Sequence, residues 1–422
     1  MMKLDWYRGW NIVAAATCLT LLTVGLRLGT GPFFLPMAND LGFSRSELST
    51  VVGVGMLFYG LAMPLAGWLV SRIGTRAVIL SGLAMVAAAV AWTMVARTPF
   101  TLCLSFGMLL SVGLGFISPV VLTPVICRWF ARQRAKALFF LSTGSMAGIA
   151  LMTPIFSLSI AAFGWQHTLV GYTVALTIAA VVAVVFVIRD EISSSVADPN
   201  YAAAEVSEDL RVAEANGRFA VAFWSTPFWK IFLGLFACGF SMNLLGTHGV
   251  PMLVDHGFDS TTSSLGIGTI GLVAIFGTVL IGRVADRVPR RNLLALIYGV
   301  RGLGFFALLM VSSPAGLFTA AAVGGLVWAG SIATSSAMLA DVYGVRLVGV
   351  LYGTAYVGHQ IGATISTWLG GWGYEQYGTH WIAFGSAGAL LFVAAAISLR
   401  LPADGFAFWL SRPLQDRASV AQ

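Results

Sequence analysis

The stretches GWLVSRIGTR, residues 67–76, and GRVADRVPRR, residues 282–291, stand 215 residues apart and align position by position. Gly67 falls on Gly282, Ser71 on Asp286, Arg72 on Arg287 and Arg76 on Arg291. A second pairing runs at about 212 residues, with Arg134 on Arg346 and Phe140 on Tyr352. Such self-similarity marks a duplicated unit. The basic knot at 282–291 is conspicuous because the chain is 58% hydrophobic and only 10% charged. It reads as a nucleic-acid patch, a targeting signal or a loop between membrane helices.

Composition decides among the three. A soluble domain has about 25% charged residues, and a chain this apolar would expose large sticky patches in water. In a bilayer the composition is ordinary. The length of 422 residues accommodates twelve spans of about 20 residues with loops. We place them at 9–34, 46–70, 76–96, 99–127, 134–162, 165–188, 227–253, 261–282, 292–312, 314–340, 346–373 and 380–400. The net charge of +7 then reflects topology rather than a nucleic-acid partner. With the N-terminus in the cytoplasm, 20 of the 24 Lys and Arg residues fall on the inner side. The outer loops hold Arg45 and Arg97, and Arg27 and Arg301 lie within spans. Eleven or thirteen spans would spoil that asymmetry.

The expected architecture is therefore an all-α integral membrane protein of twelve transmembrane helices in two pseudo-symmetric six-helix halves, residues 1–188 and 227–401. The polar stretch 189–226 reads as a cytoplasmic linker, with a surface helix around Glu205 to Glu214, and residues 402–422 as a cytoplasmic tail. The first apolar run follows MMKLDWYRGW without a cleavage pattern, so it stays as span one. Cys18, Cys103, Cys127 and Cys238 are scattered, have no metal-ligand spacing and read as small buried apolar residues.

With these residues in view the chain resembles the major facilitator superfamily, whose inner-loop signature is G-x-x-x-D-R-x-G-R-R. The second copy has Pro289 in place of the first signature Gly after the Arg, and the first copy has Ser71 where Asp is expected. The resemblance implies a cytoplasmic latch in which Gly67, Arg72, Arg76, Gly282, Asp286, Arg287 and Arg291 help hold one state. Finer motifs are similar to the monocarboxylate and oxalate–formate branch. They are YRGW at 7–10, CRWFARQRAKAL at 127–138, THGVPMLVDHGF at 247–258 and GHQIGA at 358–363. Many branch members carry an Arg late in span eight that pairs with the substrate carboxylate. Here that run is VAIFGTVLIG, 273–282, without an ionisable residue.

The charges left inside the bundle indicate the cargo. Every Asp and Glu lies at a span end, in a loop or in the linker. The interior retains Arg27, Arg301, His248 and His359, a bias that favours an anion. Arg27, deep in span one, either grips a carboxylate through parallel hydrogen bonds or snorkels to headgroups. His359, beside Gln360, and His248 are candidate substrate ligands and proton acceptors, or else packing residues. Asn243 binds substrate or bridges helices, and Tyr59 and Tyr356 are within reach of a central cavity. Arg301 reads as structural, its guanidinium capped by carbonyls or water.

No Walker loop, H-E-x-x-H or nucleophile–base spacing occurs, so neither an enzyme nor a metal or organic cofactor is expected. The expected function is secondary active transport of a small organic anion, a mono- or dicarboxylate, by proton symport or anion exchange. The alternatives are an exporter of amphipathic compounds in the same fold and a transporter-like sensor. Expected partners are that anion, membrane lipid and protons, with no nucleic acid. The expected form is a monomer in the cell inner (plasma) membrane with both termini cytoplasmic.

Overall fold

A computed structural model describes residues 9–130, 134–188, 221–285, 287–343 and 345–402. Asp286, most of the expected linker with its surface helix, and the tail beyond residue 402 lie outside the described residues. Ten helical segments among the described residues are long and apolar enough to cross a membrane. One of them, Ala137–Val187, runs 51 residues, about twice what a bilayer requires. Gly164, at φ 77° and ψ 166°, divides it into spans five and six. That left-handed φ suits glycine, which has no Cβ to clash. Span eleven, Val345–Tyr377, is 33 residues long and carries the polar residues His359, Gln360 and Glu375, which lower its hydropathy. Twelve passes result, and an even number puts the two ends of the bundle's chain on one side, here the terminal face. The opposite side is the far face.

The remaining spans follow the apolar runs. Span two is Arg45–Ile73, started by a capping box in which Ser44 accepts from the Glu47 backbone and Glu47 reciprocates. Span three is Thr75–Val95, and span four runs from Pro99–Leu102 to Pro119–Trp129. Spans seven, eight and nine are Thr226–Asp255, Ser260–Ala285 and Arg290–Leu309, and span twelve ends in Ser386–Leu399. Within them, hydroxyls such as Thr23 and Thr93 donate to carbonyls one turn back, Leu19 and Ala89. Such bonds satisfy hydroxyls that have no water to turn to within the bilayer.

Three spans are broken where continuous helices were expected; span four halts at Ile117 and Ser118, between Leu110–Phe116 and Pro119–Trp129. Span one consists of Gly9–Leu28 followed by Gly31–Leu41, so it extends beyond residue 34. Pro32 has no N–H to return to Leu28, and the helix ends there. Span ten is Pro314–Leu326 followed by Gly330–Tyr343. The carbonyls of Val327 and Trp328, at this break, accept from the Arg301 guanidinium. The cysteines also depart from expectation. Cys238 is buried, but Cys18 is exposed and Cys103 only half-buried. Cys18 shares an exposed face of span one with Asn11 and Ala14, at the helical spacing of i, i+3 and i+7.

Packing repeats with the sequence. Span one lies along span five, and span seven along span eleven. Across the halves, span two packs on span eleven and span eight on span five, which is the exchange a two-fold axis demands. The repeated arginines agree. Arg76 donates from Nε to the Ile188 carbonyl at 2.6 Å, and Arg291 donates from Nη1 to the Leu401 carbonyl at 3.4 Å. Each ties the start of a third helix to the end of the last helix of its own half. One apolar core gathers residues from Ile12 to Ile188 with Ala363. Another gathers residues from Ala222 to Leu401 with Val24, Leu28, Met146 and Ile149.

Spans seven and eleven meet most closely at Gly239, where an added Cβ would fall 1.9 Å from the His359 carbonyl oxygen. The contact is backbone on backbone and has no flexible end to yield. Gly239→Ala is expected to force the two helices apart at a cost of about 1–3 kcal/mol. A lowered melting temperature in detergent, with reduced uptake, is the expected readout. An unchanged melting temperature would contradict this packing.

Candidate functional site

The break in span one leaves Arg27 in the last turn of its first helix, where the C-terminal dipole favours a cation. Its side chain is only 8% exposed. Nη2 donates to Asn243 Oδ1 of span seven at 3.1 Å and to Gln360 Oε1 of span eleven at 3.0 Å. Asn243 is oriented for this by its own Nδ2, which donates to the Gly239 carbonyl at 2.8 Å. The Tyr59 ring of span two lies 4.2 Å from the guanidinium carbon. Arg27 thus joins one half to two helices of the other through neutral groups. Among the described residues no carboxylate forms an ion pair with it. The Arg27 Nε and the Gln360 Nε2 are buried without a hydrogen-bond partner.

His359 adjoins this cluster. It is 2% exposed, and neither ring nitrogen has a hydrogen-bond partner. Its ring stacks on Tyr356 at 4.6 Å and 8°. Tyr356, one turn before Gln360, is within electrostatic reach of Arg27 and Tyr59. The fold therefore gathers Arg27, Asn243, Gln360, Tyr59, Tyr356 and His359 at one depth. Beside Arg27 opens a cavity of about 30 Å³, bounded also by Thr30 and by Val52, Met56, Phe106, Leu110 and Ser111. These come from spans one, two and four. Thr30 and Ser111 were not singled out from sequence, because isolated hydroxyls in apolar runs carry no distinguishing signal.

His248 is placed elsewhere. Its Nε2 donates to the Thr367 carbonyl at 2.8 Å and lies 3.3 Å from Ser49 Oγ. Phe34 packs edge-on against its ring at 4.8 Å. It belongs to the contact between halves toward the far face, and it does not border the cavity.

That face is fastened by a group absent from the sequence reading. Arg45 of span two makes a bidentate pair with Asp255 of span seven, at 2.5 and 2.9 Å. His380 Nε2 lies 2.9 Å from the same carboxylate, and the Tyr374 ring is 4.0 Å from the Arg45 guanidinium carbon. Nearby, the Ser46 N–H donates to Glu375 Oε2 at 2.9 Å. On span five, Ser157 donates to the Ser260 carbonyl at 3.1 Å. The cross-half contacts named here lie between the far face and the depth of Arg27. Asp255 and His256 stand side by side in the quoted 247–258 motif, and that local charge was the available signal.

The repeated inner-loop residues mostly act within their own halves. Arg72 lies over the Trp68 ring at 5.1 Å, and Arg287 is exposed. Gly67 and Gly282 have no near neighbour to crowd a side chain. Arg290 pairs with Asp341 of span ten at 2.7 Å, a partner the sequence reading did not identify.

The family model described as Major Facilitator Superfamily matches residues 13–318 and 231–420. The chain belongs to the major facilitator superfamily. This facilitator is 26% identical to an uncharacterized MFS-type transporter of Bacillus subtilis, YcxA, over 86% of each chain. It is 22% identical to the oxalate:formate antiporter of Oxalobacter formigenes, over 86% of each. It is also 21% identical to monocarboxylate transporter 13 of Bos taurus, over 93% of this chain and 89% of that one. Among solved structures it is similar to a D-xylose-proton symporter, with a TM-score of 0.72 at 14% identity over 93% of this chain and 98% of that one. The family and these relatives are transporters, not enzymes, so the facilitator is a multi-pass membrane transporter of a small-molecule substrate.

Proposed function

We propose that this facilitator carries a small organic anion, a mono- or dicarboxylate, by alternating access, and that Arg27 holds the carboxylate. One observation supports this above the others: among the described residues, a buried guanidinium shared between halves has neutral partners, the amides of Asn243 and Gln360 and the Tyr59 ring, and no carboxylate. A buried charge is costly without a counter-charge. An anionic substrate supplies one in the transport cycle. Asn243, Gln360, Tyr59 and Tyr356 surround the same point, and His248 belongs to the moving contact nearby. Names of two relatives, the oxalate:formate antiporter and monocarboxylate transporter 13, agree with a carboxylate cargo. The amphipathic-exporter alternative requires Arg27 to point away from the cavity, whereas Arg27 borders it.

In this reading the terminal face is cytoplasmic, with residues 189–226 linking the halves there. The protein works as a monomer in the cell inner membrane. The Arg45–Asp255 pair closes the outer side while the halves part on the inner side. The inner-loop residues, Asp286 included, engage when the inner side closes. Closing and opening separate Arg27 from Asn243 and Gln360, so the substrate carboxylate replaces amide oxygens that the motion removes. His359 takes the coupling proton. A proton on its ring adds positive charge beside Arg27, so proton and anion raise each other's affinity by the same factor.

The test is uptake of labelled carboxylates into proteoliposomes, with and without an inward proton gradient. Saturable uptake, inhibited by unlabelled acids and not by their amides, is expected. The gradient should accelerate it in the wild type and have no effect in His359→Gln. Acceleration surviving in that variant would remove the proton from His359, and exclusive transport of neutral or cationic amphiphiles would overturn the anion reading.

A further inference from the structure

The far-face clasp contains a histidine that the carboxylate reading does not use. His380 immediately precedes span twelve, and its side chain is only 4% exposed. Its Nε2 lies 2.9 Å from Asp255 Oδ2, the oxygen that Arg45 Nη1 also reaches at 2.5 Å. Arg45 belongs to the first half, whereas Asp255 and His380 both belong to the second. When the halves part on this side, Arg45 leaves and His380 stays.

The closed clasp suits a neutral imidazole. A carboxylate paired with arginine only accepts, so Nε2 carries the hydrogen between His380 and Asp255. Nδ1 is then the bare nitrogen, and among the described residues it is buried without a hydrogen-bond partner. A proton placed there would find no acceptor, and Arg45 already balances the carboxylate. Departure of Arg45 reverses both conditions. Asp255 loses its cation, which favours a proton on the neighbouring ring, and the vacated side admits water to Nδ1. The Tyr374 ring lies 4.0 Å from the Arg45 guanidinium carbon and 4.5 Å from the His380 ring centre. It stays in the second half, where its face can meet an imidazolium.

The other ionisable groups nearby have separate roles. His256, with its ring centre 6.2 Å from that of His380, is held below the usual histidine range by burial and by His380, against the pull of Asp255. His248 lies deeper on span seven, bonded to the Thr367 carbonyl. Glu375 of span eleven accepts from the Ser46 N–H. Span nine, which packs on the start of span twelve, has no ionisable residue between Arg301 and Leu309.

We propose that His380 is the positioning residue of this clasp: it takes a proton from far-face water as Arg45 withdraws, holds Asp255 as an ion pair in the open state, and returns the proton when Arg45 closes back. This rests on the reading of Arg45 and Asp255 as the pair that closes one side of the carrier. Acid on that side then favours opening, and proton binding and opening promote each other by the same factor. Histidine suits the task because its charge changes between about pH 5 and 8.

Spin labels at Asn39→Cys and Gln376→Cys, exposed positions on opposite halves of the far face, test it. The native cysteines are replaced by serine, and no substrate is added. Opening reads as a longer distance between the labels. Between about pH 8 and pH 5 the open-to-closed ratio should rise by at least about threefold per pH unit at its steepest, tenfold being the limit for one proton. His380→Gln keeps a donor toward Asp255 but takes no proton, so its ratio should not move with pH. His380→Asn is read the same way should the glutamine variant lack a cooperative melt. His256→Gln should respond as the wild type does, and Arg45→Gln should be more open at every pH. A wild-type ratio indifferent to pH overturns the role of His380. So does a response that survives in His380→Gln or vanishes in His256→Gln. An Arg45→Gln protein that stays closed overturns the clasp reading beneath it.

Discussion

Arg27→Gln is expected to reduce carboxylate uptake by at least about a hundredfold while leaving a folded, monodisperse protein. Truncating one partner of a buried, hydrogen-bonded charge pair costs about 2–5 kcal/mol of binding, and 2.7 kcal/mol corresponds to a hundredfold. The glutamine amide still donates toward Asn243 and Gln360, which now hold Arg27 at 3.1 and 3.0 Å. The empty protein therefore loses little. It is relieved of a desolvated cation whose ligands are neutral, and its stability is expected to stay level or rise. Loss of transport without loss of stability is the signature of a residue retained for its ligand. Arg27→Lys keeps the charge but gives up the planar fork, and partial recovery at best is expected. Uptake by Arg27→Gln within a fewfold of wild type would contradict the assignment.

Arg301 is expected to behave in the opposite way. It is 1% exposed and donates to two carbonyls freed where span ten breaks, and to Ser331 and Cys238. Its guanidinium lies 4.9 Å from the centre of the Trp328 ring. Arg301→Met fills much of the same volume but takes this donor from the Val327 and Trp328 carbonyls, while Ser331 and Cys238 keep their contact with each other. Each buried acceptor so orphaned costs about 1–3 kcal/mol, partly offset by removal of the buried charge. A net loss of roughly 3 kcal/mol is expected from the two carbonyls. The readout is a lower melting temperature and poorer yield of monodisperse protein, with unchanged apparent substrate affinity in the folded fraction. A variant as stable as wild type but with altered substrate affinity would place Arg301 in the transport site instead.

These two arginines show which information was legible in the sequence. Both stood out as charges inside apolar runs, and both readings began from that. The twelve passes and the duplication were legible because they depend on run length, on the repeat of GWLVSRIGTR by GRVADRVPRR, and on the distribution of basic residues. These are local or periodic signals. The convergence of Arg27 with Asn243 and Gln360 was not legible, since the three are separated by 216 and 333 positions. Each was a candidate alone; only packing of span one against spans seven and eleven makes them one site. His248 illustrates the limit from the other side. Its five-residue offset from Asn243 along span seven carries it toward the far face, to Ser49 and Thr367.

The helix breaks were hidden for a different reason. Pro32 ends the first helix of span one through its missing N–H, but the same run tolerates Pro36 inside its second helix. Proline alone therefore does not locate a break. In span ten the freed carbonyls at Val327 and Trp328 are met by an arginine from another helix, a tertiary compensation with no local mark. The Asp255 charge was visible in its motif, but its pairing with Arg45 was not, because the two are split between halves.

On the proposal above, Arg27 binds the carboxylate of the substrate. Thermal stabilisation of the purified protein by short-chain carboxylates and by their uncharged amides tests it without requiring transport. A ligand at one hundred times its Kd stabilises by about 2.7 kcal/mol, which a melting curve resolves. A carboxylate is expected to raise the melting temperature of the wild type in a saturable way. Its amide should not, and neither should shift Arg27→Gln. Equal stabilisation of wild type and Arg27→Gln by the carboxylate would contradict it.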